Sequence, residues 1–176
     1  MQLKLNYSIR LATKEDESFL WEMLYEAAHM AEEGEPSVQA VMNHPDLVRY
    51  VKHWGRANDL GFMAIELDSN QLIGAAWLRL RTGDDRGYGY VDDSTPELSI
   101  AVLPEHRGKG VGTQLLTRLL EVAKGTYPSA SLSVRAMNPA LGVYKRLGFK
   151  VVGGSEIINR TGGTSFKMKV DLFNFG

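Results

Sequence analysis

Apolar positions along this chain follow two rhythms, one near 3.6 residues and one of two, and their order predicts the elements. Phe19, Leu20, Met23, Leu24 and Ala27 recur at helical spacing, which makes one stripe of a helix apolar. Thr13 with Asp16 three residues on has the form of a capping box, and Glu15, Asp16 and Glu17 suit the positive end of the helix dipole. Residues 8–12 read as a short strand before it, and residues 32–36 break the pattern after it. A second helix is expected from Pro45, with Leu47, Val48, Val51 and Trp54 on one side and Gly55 at its end. Residues 62–67 and 72–80 then form two strands joined by the turn Asp68-Ser69-Asn70, an antiparallel hairpin.

Beyond a polar loop, TGDDRGYGYVDDSTP, a strand opens at Glu97 and ends at Pro104, with Leu98, Ile100 and Val102 alternating with Ser99 and Ala101. A helix over residues 110–124 follows, its wide apolar face made of Val111, Leu115, Leu116, Leu119, Leu120 and Ala123. Residues 132–135 are a strand. Residues 139–147 form a short helix with Asn138 as N-cap and Gly148 as its stop, and residues 149–152 and 165–172 complete the strands. The order βααβββαβαββ describes a mixed α/β or α+β domain, one sheet covered by helices, expected to be a single domain over residues 1–176.

Composition narrows the function more than the fold. The 176 residues are 44% hydrophobic and 23% charged, ordinary for a soluble globular chain that buries most of its apolar surface. A net charge of -1 and a pI near 6.4 supply no field to attract nucleic acid or an anionic membrane, so neither is expected as a partner. With no cysteine there is no disulfide, no thiolate metal site and no thioester on an enzyme cysteine, so any acyl transfer is direct or uses another nucleophile. His29, His44, His53 and His106 lack ligand spacing, and no metal is expected. The amino terminus lacks the apolar core of a secretory signal and no run approaches a membrane span, which places the protein in the cytoplasm as an expectation.

The chemistry concentrates in VLPEHRGKGVGT, where the strand from Glu97 meets the next helix. Gly108, Gly110 and Gly112 allow close backbone approach to an anion, and the helix start aims free amides and its dipole there. Arg107 and Lys109 add positive charge; a plain tight turn is the other reading of the same glycines. No Walker A string is present, and GxGxG is not the GxGxxG dinucleotide fingerprint. What fits is R-x-x-G-x-G through Arg107, Gly110 and Gly112.

That turn, followed by Asn138, Pro139, Ala140, Tyr144, Leu147, Gly148 and Phe149, resembles the GCN5-related N-acetyltransferase (GNAT) superfamily over residues 97 to about 150. The resemblance implies that family's fold, a central mixed, mostly antiparallel sheet flanked by helices. It also implies acetyl-coenzyme A (acetyl-CoA) as cosubstrate and an amine as acceptor. Main-chain groups of Ala101, Val102 and Leu103 would face the pantetheine arm, and amides of Gly108, Lys109, Gly110, Val111, Gly112 and Thr113 would hold the pyrophosphate beside Arg107. Asn138 matches a position that bonds the cofactor, and a helix N-cap is an equal reading of it.

The reaction needs proton movement at both ends, because a lysine-type amine of pKa ~10.4 arrives protonated and a thiol of pKa ~8.5 must leave. Tyr144 matches the family's general acid; packing against Ala140 and Leu147 is its structural alternative. Glu97 is the candidate base, against an exposed surface charge, and a strand amide near Ile100 or Val102 would meet the oxyanion. Asp84, Asp85, Asp92 and Asp93 around Tyr88 and Tyr90, with Glu32, Glu33 and Glu35, would favour a cationic acceptor if they flank its cleft; solvated loop acids are the other reading. A non-catalytic acyl-CoA sensor of the same fold and a protein-interaction domain are the competing classes. A homodimer stays open, because an exposed strand edge and a paired one read alike.

Overall fold

Two chain segments make up each of two compact units in the computed structural model, which describes residues 6–30, 34–35, 37–81 and 84–176. The first unit comprises Met1–Trp77 and Ile100–Leu119, the second Leu78–Ser99 and Leu120–Gly176. The fold is a mixed, mostly antiparallel sheet flanked by helices, as expected.

In the first unit, strand β1 (Tyr7–Leu11) leads through a short 3₁₀ turn (Lys14–Asp16) into helix α1 (Glu17–Ala27). Thr13 and Asp16 form the expected capping box, in which the Asp16 carboxylate accepts from the Thr13 amide at 2.8 Å; the same carboxylate takes two Arg10 guanidinium nitrogens at 2.8 Å. That bidentate bond holds the Asp16 carboxyl below its ordinary range. Helix α2 (Gln39–Met42) is only one turn, and the long second helix expected from Pro45 does not form. Instead Leu47, Tyr50 and Val51 donate to residues three back, at 3.1, 3.1 and 3.2 Å, in a 3₁₀ pattern around Val48–Tyr50. Spacings of three and four put the same side chains inward in either conformation, so Leu47, Val51 and Trp54 are buried as anticipated.

Strands β2 (Leu60–Glu66) and β3 (Leu72–Arg79) form the expected hairpin, closed by Asn70 at φ 57° and by the Glu66 amide on Gln71 O at 2.8 Å. Strand β4 (Glu97–Val102) ends this unit's order β1-β2-β3-β4 and runs into helix α3 (Val111–Ala123). Phe19, Leu20, Met23 and Leu24 of α1 pack in one core with Val41, Tyr50, Met63, Trp77 and Ala101. The indole N–H groups of Trp54 and Trp77 reach Thr13 O and Tyr50 O, each at 3.0 Å, so burying them leaves no donor unmet.

The second unit is built on β5 (Ser129–Arg135), which pairs in parallel with β4, Glu97 opposite Ser131. Helix α4 (Leu141–Arg146) precedes β6 (Lys150–Val151), β7 (Ile157–Ile158) and β8 (Thr164–Asp171). The order here is β4-β5-β8-β6, with β7 also on β8, and β5 and β8 are antiparallel from Ser129 opposite Asp171 to Arg135 opposite Ser165. Strand β7 is one more than the pattern predicted; with two residues, both exposed, it carries no alternation to read.

Candidate active site

In the first unit the turn from β4 into α3 is shaped by one proline and two glycines. Pro104 starts a 3₁₀ turn in which the His106 amide reaches Leu103 O at 2.9 Å, and its own missing amide costs nothing there. Gly108 (φ 75°) and Gly110 (φ 84°) occupy the left-handed region, where any other residue is strained. Added Cβ atoms at either would meet nothing within 4 Å, so conformation and not crowding calls for glycine at both. The first α-helical bond, Gln114 amide to Gly110 O at 3.1 Å, leaves the amides of Val111, Gly112 and Thr113 without an intrahelical acceptor. They lie at the positive end of a 13-residue helix beside exposed Gly108, Lys109 and Gly110, an arrangement suited to a phosphate oxygen.

Gly112 is different. Its φ is not in the left-handed region, and a Cβ would make ordinary contacts of 3.8 Å with Ile100 and Val102. Nothing in the fold requires glycine there.

Arg107 does not simply add a free positive charge. Its Nε donates to Val102 O at 2.9 Å, and Nη2 bonds Glu26 of α1 at 3.0 Å. The Leu103 amide is bonded to Ile73 O at 2.8 Å, on the β3 side of the strand. Because backbone polar groups alternate along a strand, those of Ile100 and Val102 face the opposite edge, whereas Ala101 and Leu103 face β3. Of the three residues expected along the pantetheine arm, Val102 therefore has the outward main-chain groups. Glu26 carries no motif; its only sequence signal is an acid in the last turn of α1, where the helix dipole disfavours it.

In the second unit Tyr144 is buried on α4 and meets Phe149 edge to face, with ring centroids 5.8 Å apart. Burial pushes its hydroxyl up to about 12 from the usual 10. The helix is shorter than residues 139–147: it starts at Leu141, and Asn138 Oδ1 accepts from the Ala140 amide at 2.8 Å, in the turn before it. Asn138 thus orders the approach to α4 without being its N-cap, which is Ala140. Gly148 (φ 103°) ends the helix as expected, with the Phe149 amide reaching back to Tyr144 O at 3.0 Å.

Glu97 is buried, 5% exposed, which excludes the reading of it as a surface charge. Burial along β4 does not alternate: Glu97, Leu98 and Ala101 are buried, while Ser99, Ile100 and Val102 are partly open. Over Glu97 lies Gly89, where an added Cβ would come within 3.0 Å of Glu97 Cδ and 2.7 Å of the Leu132 carbonyl carbon. This contact was invisible in a loop that read only as polar and glycine-bearing.

Asp85, Asp92 and Asp93 of the loop have protein partners. Asp92 accepts from Ser94 Oγ at 2.9 Å and lies 3.6 Å from Lys169 Nζ, Asp93 accepts from Tyr90 Oη at 2.5 Å, and Asp85 is 3.9 Å from Arg81. Arg86 stacks on the Tyr90 ring at 4.5 Å. These three acids are thus paired, two by neighbours in or beside the loop and Asp92 also by Lys169 of β8. Glu32 and Glu33 lie outside the described residues. Among the described residues no group of three His, Asp or Glu stands where it could hold a metal ion, and no helix is long and apolar enough to cross a membrane.

Comparison with known proteins agrees with these features. The model of the acetyltransferase (GNAT) family matches residues 21–149. An N-alpha-acetyltransferase of Sulfurisphaera tokodaii is 45% identical over 58 residues, which is 31% of this chain and only 35% of that relative's length. Among solved structures, yncA from Salmonella typhimurium with its cofactor acetyl-CoA has a TM-score of 0.68 at 21% identity, covering 98% of this chain and 97% of that one. Spermidine N-acetyltransferase from Vibrio cholerae in complex with CoA and spermine has a TM-score of 0.63 at 22% identity, covering 95% and 96%. At such identities these two structures speak for the fold.

Proposed function

Because the chain belongs to the acetyltransferase (GNAT) family, we propose that it is a single-domain, acetyl-CoA-dependent N-acetyltransferase that passes the acetyl group directly to a primary amine. The observation that carries this reading is the R-x-x-G-x-G turn, with two positive-φ glycines and the unsatisfied amides at the start of α3. Those groups fit a pyrophosphate in charge and in hydrogen-bond sense. Bound acetyl-CoA would supply a thioester carbonyl and a thiol leaving group. Amides from Gly108 to Thr113 hold the diphosphate, Arg107 orders the strand end behind it, and Val102 lends main-chain groups to the pantetheine arm. Asn138 adds a polar contact to the cofactor. Glu97 takes the amine proton, directly or through a water, and Tyr144 donates to the departing sulfur.

The acceptor is a primary amine, on a small molecule or a peptide. The internal pairing of Asp85, Asp92 and Asp93 argues against the loop as a cation trap, so a preference for cationic amines would have to arise elsewhere. Thiol release from acetyl-CoA across cationic, neutral and anionic amines, with mass spectrometry of the products, tests the assignment. Amine-dependent release with a gain of one acetyl group is expected. Binding of acetyl-CoA without release on any amine would instead make the protein a sensor, and no binding would remove both readings.

Gly112 gives a sharper test of the cofactor site. Gly112→Ala adds a methyl group that the fold accommodates and removes the glycine penalty of a helix, so the melting temperature should hold or rise, by about 0.5–1 kcal/mol of stability. Acetyl-CoA affinity should nonetheless fall about tenfold, measured by calorimetry, as one close amide–phosphate contact is pushed out. Unchanged affinity would remove Gly112 from the pyrophosphate site.

A further inference from the structure

Glu97, Gly89 and Ser131 form a closed triangle in the second unit. Glu97 and Ser131 are directly opposed on β4 and β5. The fully buried Ser131 hydroxyl donates to Gly89 O at 2.7 Å, and Gly89 in turn lies against Glu97 Cδ. An added Cβ at Gly89 would also meet Ser133 N at 2.8 Å, so the loop backbone rests directly on β5. Further bonds stitch the same loop down. Lys167 Nζ donates to Tyr90 O, Lys169 pairs with Asp92, and Thr95 and Ser129 share a hydroxyl bond of 2.6 Å. Lys167 and Lys169 stand opposite Ser133 and Ser131 on β8, so these partners of the loop come from adjacent registers of two paired strands. The Ser131 amide meanwhile donates to Pro96 O, at the end of the loop, at 3.0 Å.

A carboxylate that works as a base needs one orientation and a controlled water supply; a loop laid across it provides both, provided that the loop cannot lift. We infer that Ser131, acting through the Gly89 carbonyl, is a positioning residue for Glu97, holding the loop over its carboxylate. This rests on the reading of Glu97 as the base. Ser131 itself has no contact with substrate to make, because its side chain is enclosed by the loop and the sheet.

The test is a double-mutant cycle read in kcat and in KM for acetyl-CoA. Ser131→Ala should lower kcat about tenfold, the effect of one buried hydrogen bond, and leave KM for acetyl-CoA in place. Gly89→Ala, which forces the loop off β5 from the other side, should do the same. In a Glu97→Gln background, read by single-turnover rates with excess enzyme, neither change should matter further. If Ser131→Ala costs the same tenfold in that background, or nothing in the parent, the positioning role is overturned. Full turnover by Glu97→Gln alone would instead overturn the base assignment on which it rests, a result distinguishable from the other two. Melting curves accompany each variant, and Ser131→Cys, of similar size but with a weak donor, replaces the alanine variant if that one does not fold.

Discussion

Glu97→Gln is expected to lower kcat/KM for a lysine-type amine by about 10²- to 10⁴-fold at pH 7, the usual contribution of a positioned base. The defect should shrink as pH rises toward the amine's own pKa of ~10.4, where solvent has already removed the proton that Glu97 would take. Glutamine fills the same volume, so the buried site on β4 stays packed and acetyl-CoA affinity should be preserved. Initial rates from pH 6 to about 10 with one amine decide the matter. A variant that matches its parent across that range has lost no base, and the buried carboxylate would then be structural. A defect of constant size at every pH would point to binding or folding instead of proton transfer.

For Tyr144→Phe the expected loss in kcat is about 10²- to 10³-fold, with KM for acetyl-CoA little changed, as for removal of a donor aimed at developing charge. The raised hydroxyl pKa sharpens what that donor does. At about 12, it stands some 3.5 units above a thiol of ~8.5, so complete transfer to the leaving sulfur is uphill by about 5 kcal/mol. In the proposed role Tyr144 would therefore act by hydrogen bonding to the thiolate as charge builds, staying protonated through any ordinary assay pH. An alkaline limb near pH 8–9 that disappears in Tyr144→Phe would contradict this. Stability gives an independent check. The unfolded chain releases this proton at about 10 and the folded one only near 12, so above pH 10 the unfolded state binds fewer protons and the parent loses stability as pH rises. Over the complete transition, from below pH 10 to above pH 12, that loss is about 3 kcal/mol relative to Tyr144→Phe, which keeps the ring contact with Phe149.

Strong periodicity was readable from the order of apolar and polar residues alone. The six apolar residues assigned to the face of α3, Val111 through Ala123, are all buried, because an amphipathic face of nearly four turns admits one helical phase. Residues 47–54 show the opposite case. Spacings of three and four suit both a helix and a chain of 3₁₀ turns, and the choice falls to packing around Trp54 and Trp77. The glycine turn proposed for the cofactor was legible because glycine at positive φ leaves a mark in the sequence. The Glu26 partner of Arg107 left almost none, since a contact across 81 positions depends on how α1 crosses the strand end.

Taken by itself, the sequence determined the family motifs, the order of the long elements and the identity of Glu97 and Tyr144 as candidates, since each follows from residue type and local spacing. Tertiary structure alone decided what surrounds them. It buried Glu97 beneath Gly89, paired Asp92, Asp93 and Asp85 with Lys169, Tyr90 and Arg81, and raised the Tyr144 hydroxyl by desolvation. Each of these depends on through-space distance and local dielectric between residues far apart in the chain, quantities that no local pattern encodes.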